Sequence, residues 1–231
     1  RATTVFYTSL LVGSVRCVYE TVIRGEGVKY TALTPNLKGF ENALHVKVDE
    51  VAVFAAASET FSQKNVNCSI DESLARFRDI FEKARQKKIP VRGYVSCVVE
   101  CPYEGYVSPK RVLEVTSKLL DMGCYEVSLG DTIGKGTPKK IDELLNVICE
   151  SLNPEQLAGH FHDTSDNAIK NVEVGLKYGI RTFDTAIGGL GGCPYAPGAK
   201  GNLSTVQLIN AIGSENFLGI PDSVSYTHLT L

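Results

Sequence analysis

The strongest constraint on the fold is an alternation. Short apolar or β-branched runs lie at Lys29–Leu33, Glu50–Ala57, Ile89–Ser96, Tyr125–Leu129, Leu157–Phe161 and Arg181–Thr185, and amphipathic stretches separate most of them. Parallel strands need a long crossover, and a helix is the usual one. Repeated strand–helix units therefore predict a parallel sheet. The helical stretches carry boundary signals of their own. Asp71–Lys87 sets Leu74, Phe77, Phe81 and Ala84 on one face, and Ser69 with Glu72 three residues on forms a capping box. Pro138–Leu152 sets Ile141, Leu144, Leu145, Ile148 and Leu152 on one face, behind Thr137 as cap and Pro138 at the first helical position. Ser108-Pro109 opens Val112–Met122, which Gly123 closes. Ser165 is read as the cap of Ala168–Tyr178.

Two parallel architectures compete, an open doubly wound sheet and a (β/α)8 TIM barrel. Neither G-x-G-x-x-G nor G-x-x-x-x-G-K-[ST] occurs, which disfavours dinucleotide and P-loop sites. Polar residues instead cluster just after several strand ends, the pattern that a barrel's C-terminal face produces. The barrel is favoured, incomplete, with about six of eight βα units recognisable in a single domain over residues 1–231. Residues 29–213 read without a linker. The β-rich run in Arg1–Val28 and the tail Ser223–Leu231 fit no unit, so the chain is expected to be a fragment.

Composition narrows the partners. Lys+Arg is 24 against Asp+Glu 26, a net charge of 24 − 26 = −2, which argues against a nucleic-acid partner. No apolar run approaches the ~18 residues of a membrane span. Seven scattered cysteines without a C-x-x-C pair read as reduced thiols rather than a disulfide scaffold or zinc finger.

The clearest chemical signal is Gly159-His160-Phe161-His162-Asp163. Residues i and i+2 of a strand share a face, so both imidazoles point one way, as two ligands of a divalent metal would. The alternative is a pair of hydrogen-bonded structural histidines. Mixed nitrogen and oxygen ligation suits Mg, Mn, Fe or Zn. The second signal is Gly188-Gly189-Leu190-Gly191-Gly192-Cys193-Pro194-Tyr195, a glycine-dense loop bearing a thiol that could meet a substrate on closure. A tight turn with an incidental cysteine is the other reading. Asn202 gains interest only from nearness to this loop. Asp131, in Ser128–Thr132, reads equally as an acid/base group or a turn former. Arg92 and Tyr94 share a strand face and are read either as binding an acyl carboxylate or as packing together, the second being favoured.

These stretches resemble a known family. LTPNLKGF (Leu33–Phe40), RGYVSC (Arg92–Cys97), CPYEG (Cys101–Gly105), MGCYEVSLGDTIG (Met122–Gly134), GHFHDT (Gly159–Thr164) and GGLGGCPYAPGAKGNL (Gly188–Leu203) are similar to 3-hydroxy-3-methylglutaryl-CoA lyase, from about Tyr30 to about Leu208. The G-G-C-P-Y loop is particular to that lyase. The H-x-H strand is shared with isopropylmalate and homocitrate synthases and with the carboxyltransferase domain of pyruvate carboxylase. The resemblance implies a (β/α)8 barrel that cleaves the thioester to acetyl-CoA and acetoacetate, in leucine catabolism and ketone-body formation. It implies Mg²⁺ or Mn²⁺ on His160, His162 and Asn202, with Asp131 and Tyr94 lining the site and Cys193 or His160 returning a proton. It further implies a CoA-thioester partner, a homodimeric parent, and a mitochondrial matrix location, or the cytoplasm for a bacterial source. The family's first-strand motif, close to G-P-R-D-G-L-Q-N-E, has no counterpart here. A related Claisen-type synthase and an inactive barrel fragment are the alternatives.

Overall fold

The computed structural model describes residues 29–189, 191 and 201–213. Its centre is a parallel sheet of six strands: β1 (Thr31–Leu33), β2 (Glu50–Ala56), β3 (Val91–Ser96), β6 (Glu126–Asp131), β7 (Leu157–Phe161) and β8 (Thr182–Phe183), hydrogen-bonded in that order. A two-residue antiparallel hairpin, β4 (Glu100–Cys101) with β5 (Gly105–Tyr106), stands outside it. The main strands follow one another in chain order with no reversal. A doubly wound sheet reverses at a switch point, whereas a barrel adds each stave beside the last. The barrel reading holds, and the described strands are consecutive staves of it.

Helices wrap the outside: α1 (Leu37–His45), α2 (Glu59–Val66), α3 (Ile70–Lys87), α4 (Pro109–Met122), α5 (Pro138–Cys149), α6 (Ala168–Lys177) and α7 (Thr205–Ile212). Their boundaries follow the capping chemistry. Glu72 N–H donates to Ser69 Oγ at 3.2 Å while Ser69 N–H donates to the Glu72 carboxylate at 2.8 Å. Ser108 and Thr137 cap α4 and α5 by accepting from Arg111 N–H and Lys140 N–H, without the return bond, and Gly123 closes α4 at φ 116°. The expected cap at Ser165 is not formed. Asp163 Oδ1 takes the Ala168 N–H at 3.0 Å instead, so the first turn of α6 finds its acceptor two residues upstream of Ser165. The strand expected over Arg181–Thr185 is reduced to two residues, and α1, α2, α7 and the hairpin emerge without having been anticipated.

Which residues face inward is settled by the glycines. A Cβ on Gly93 would meet Cys124, Val127 and Leu119, the last on α4. Gly93 therefore faces the helices, and its neighbours Arg92 and Tyr94 face the barrel interior. A Cβ on Gly159 would collide with Phe161 and Phe183, so that face of β7 is also outward and His160 points in. The outward residues Val53, Val95, Val127, Leu129, Phe161 and Phe183 join the inward faces of the helices in one apolar layer. Among the described residues no helix is long and apolar enough to cross a membrane. The five described cysteines, Cys68, Cys97, Cys101, Cys124 and Cys149, are all free thiols.

Candidate active site

The inward face carries charge where a barrel normally packs aliphatic side chains. Arg92 on β3 is 1% exposed. Its Nε donates to Glu126 at 2.7 Å, and its Nη1 donates to Asp184 at 2.8 Å and to the Tyr94 hydroxyl. Asp184, one residue beyond β8, also accepts from Ser128 Oγ at 2.7 Å and lies 3.2 Å from His160 Nδ1. The far nitrogen of that ring, His160 Nε2, faces His162 Nε2 at 3.3 Å. Tyr94 stands edge-on to His160, ring centroids 5.9 Å apart. One chain of contacts thus runs Glu126–Arg92–Asp184–His160–His162.

The electrostatics follow from this order. Burial alone would raise the Asp184 carboxyl, but Arg92, His160 and Ser128 hold it down to about 2. Burial pushes Glu126 upward against the pull of Arg92. The Arg92 guanidinium, sandwiched between carboxylates, stays charged, well above its ordinary range despite burial. Burial, then the neighbouring His160, drives His162 down to about 4, so this imidazole is neutral at physiological pH. A neutral imidazole keeps a lone pair, which is what metal ligation requires.

Two facing ring nitrogens 3.3 Å apart need either a shared proton or a cation between them. Ligands held cis by one six-coordinate ion at ~2.1 Å stand ~3 Å apart, close to this spacing. Asn202 pairs with His162 in an isolated antiparallel bridge, which sets their side chains on the same side. Among the described residues no three His, Cys, Asp or Glu side chains converge as a metal site. The donors here that could hold a divalent ion are the two imidazoles and the Asn202 amide oxygen, a set that would need further oxygens to fill a shell.

Asp131 sits apart. It is one residue past Gly130, which pairs with His160, and falls opposite Phe161 in the register, on the helix side. Its oxygens accept from Lys135 N–H at 3.1 Å and Gly136 N–H at 2.7 Å, holding the turn after β6. Burial outweighs these bonds and pushes its carboxyl up to about 6.

The base of the glycine-rich loop is adjacent to the histidines. Leu203 N–H donates to Phe161 O at 3.2 Å, and Asp163 N–H donates to Gly201 O at 3.2 Å. A Cβ on Gly201 would run into the carbonyl oxygens of Gly189 and Gly191, so only glycine permits the two ends of the loop to meet. Cys193 itself lies outside the described residues, as do the other residues from 192 to 200.

The structure thus brings together His160, His162, Asn202 and Tyr94. It engages Arg92 with internal carboxylates and sets Asp131 behind the sheet. Asp184, Ser128 and Glu126 were not anticipated as members. Their signal was the inward phase they share with Arg92: Glu126 and Ser128 are two apart on β6, and Asp184 is two past Thr182 on β8.

Comparisons with known proteins agree on one group. The family described as HMGL-like matches residues 12–230. The cytoplasmic 3-hydroxy-3-methylglutaryl-CoA lyase of Mus musculus is 53% identical over 195 residues, 83% of this chain and 57% of that protein. The mitochondrial hydroxymethylglutaryl-CoA lyase of Bos taurus is 51% identical over 212 residues, covering 92% and 64%. The chain thus spans about three-fifths of the length of these relatives. The crystal structure of hydroxymethylglutaryl-CoA lyase from Pseudomonas aeruginosa superposes with a TM-score of 0.84 at 49% identity, covering 90% of this chain and 69% of that one. A lyase from Acinetobacter baumannii, solved with coenzyme A and 3-methylmalate, gives 0.81 at 33% identity, covering 90% and 68%.

Proposed function

The chain belongs to the HMGL-like family, and from that premise we propose that it serves the cleavage of 3-hydroxy-3-methylglutaryl-CoA to acetyl-CoA and acetoacetate. The observation that carries the proposal is the pair of converging Nε2 atoms of His160 and His162, 3.3 Å apart on the inward face beside the loop base. His160, His162 and Asn202 are the residues that would hold Mg²⁺ or Mn²⁺, which when bound supplies Lewis acidity toward the substrate's hydroxyl and carboxylate oxygens.

The reaction breaks C2–C3. A general base takes the C3 hydroxyl proton, the O–H electron pair forms the C=O that makes C3 the ketone of acetoacetate, and the C2–C3 electron pair stays on C2. A proton must then reach C2, and Cys193 Sγ on the glycine-rich loop is assigned that delivery. Tyr94, edge-on to His160, limits the room beside that ring, and the nascent carbanion needs water kept away until its proton arrives. The family match over residues 12–230 supports reading the chain as one catalytic unit. Mitochondrial and bacterial relatives both match, which supports a matrix location or, for a bacterial source, a cytoplasmic one.

The test is incubation with the thioester and Mn²⁺, with acetoacetate and acetyl-CoA measured in equal amounts. Acetoacetate formation by a lyase of full family length but not by its His162→Ala variant is the expected result. Absence of both products from that full-length protein would refute the assignment. Cys193→Ala is expected to lose most turnover and to keep Mn²⁺ binding, because sulfur is not among the ligands.

A further inference from the structure

Among the described residues Asp184 is the one buried carboxylate that touches a histidine of the site, and nothing in the proposed chemistry uses it. We propose that Asp184 is a positioning residue: fixed by Arg92 and Ser128, it accepts the Nδ1–H of His160 and so compels that ring to present an unprotonated Nε2 toward His162. The inference rests on the reading of His160 as a ligand, and adds what makes the ring competent for it.

The geometry leaves little freedom. Asp184 Oδ1 is taken by Arg92 Nη1 at 2.8 Å, and Oδ2 receives Ser128 Oγ at 2.7 Å. The carboxylate is 4% exposed and cannot turn away to water. An ionised carboxylate only accepts hydrogen bonds, so the nitrogen facing it at 3.2 Å must be the one that carries hydrogen. A neutral imidazole has a single N–H, so Nε2 is left with its lone pair. A ligand histidine commonly has its other nitrogen engaged by a carboxylate in this way. Arg92 adds the orientation, since its second contact, to Glu126 at 2.7 Å, keeps the guanidinium from following Asp184 if that side chain moves.

The clamp gives a sharp expectation for Asp184→Asn. Arg92 can only donate, so the amide oxygen must turn to Arg92 and the NH₂ must face His160. That NH₂ donates to Nδ1 and forces the hydrogen onto Nε2, where it blocks ligation. The fold should survive, because the substitution is isosteric and the Arg92–Glu126 pair remains.

The measurement is long-range ¹H–¹⁵N NMR of the imidazole nitrogens at about pH 8, where an ordinary imidazole is neutral. With four histidines in the chain, assignment needs only single substitutions. The expected wild-type result is the Nδ1–H form of His160, switching to Nε2–H in Asp184→Asn. Mn²⁺ added to the same samples should broaden the His160 lines at a concentration roughly 10–100-fold lower in the wild type than in the variant. A wild-type Nε2–H tautomer, which needs no variant to observe, would overturn the inference, as would an unchanged tautomer in a folded Asp184→Asn protein. If the tautomer switches as expected but Mn²⁺ broadens nothing, the positioning role stands and it is the metal reading that fails.

Discussion

Asp131 and Asp184 stand at comparable points, each at the end of a barrel strand and each nearly sealed from solvent, at 1% and 4% exposure. Their environments pull in opposite directions. Asp131 meets two neutral backbone N–H groups, which do not offset its loss of hydration, and its carboxyl rises to about 6. Asp184 meets a guanidinium, a hydroxyl and an imidazole, and falls to about 2 despite the same burial. Burial therefore does not decide what a carboxylate can do; the charge of its donors does. Asp131 holds a turn, whereas Asp184 keeps a full negative charge where a histidine needs one.

The contrast is broken most severely at Arg92. Arg92→Met would leave Glu126 and Asp184 buried without their cation. Removing one partner of a buried ion pair costs about 3–5 kcal/mol, and a loss of that size in urea unfolding is expected. A loss below about 1 kcal/mol would mean that the two carboxylates neutralise cheaply and that Arg92 does not set the difference.

A pH series sharpens the other half. The Asp131 carboxyl is raised to about 6 from an ordinary 3.8. Between those values the native state holds a proton that the unfolded chain has released, so stability falls as pH rises from about 4 to about 6. The two values correspond to up to about 3 kcal/mol. Asp131→Asn should remove that falling slope from the unfolding midpoint measured across the interval. Parallel slopes in the two proteins would show that Asp131 titrates normally.

Ser128→Ala tests the smallest contribution. It removes one hydrogen bond to the charged Asp184 carboxylate and leaves Arg92 in place. A hydrogen bond to a charged group is worth about 1.5–3 kcal/mol, and the loss should lie at the lower end because the guanidinium remains. Calorimetric melting at pH 7 would register it, and no change would place all the control of Asp184 in Arg92.

Much of the architecture was legible in the sequence. Strand runs such as Glu50–Ala57 and Ile89–Ser96 recur within a residue or two in the sheet, because the face turned to the helices is apolar in both, although the inward face of the second carries Arg92 and Tyr94. Ser69, Ser108 and Thr137 cap helices as read, because capping is a local bond between residues three apart. The His160–His162 pair was legible for the same reason, since a two-residue repeat fixes a common face. Asp184 was not. In Arg181–Thr185 it resembles any turn former, and its role depends on Arg92, 92 residues earlier. The phase of strand alternation could have separated the two aspartates. Asp131 is an odd number of residues from Ser128 and falls on the helix side, whereas Asp184 is an even number from Thr182 and falls inside. The hairpin Glu100–Tyr106 left no periodic trace because each strand has two residues. Cys193, the β-rich run in Arg1–Val28 and the tail Ser223–Leu231 lie outside the described residues.

The sequential strand order also bears on how the molecule forms. Each sheet pairing joins segments near in sequence, such as Thr31 with Glu50 and Val127 with Leu157, so the sheet can grow by accretion, one βα unit after another as the chain emerges. Loop closure is then met in modest steps rather than in one long-range search. The Arg92–Asp184 contact spans 92 residues and belongs to no single step. It can close only after β6, β7 and β8 have been laid down. A chain that has laid down β7 but not β8 therefore already holds His160 and His162 on one strand while His160 still lacks its carboxylate.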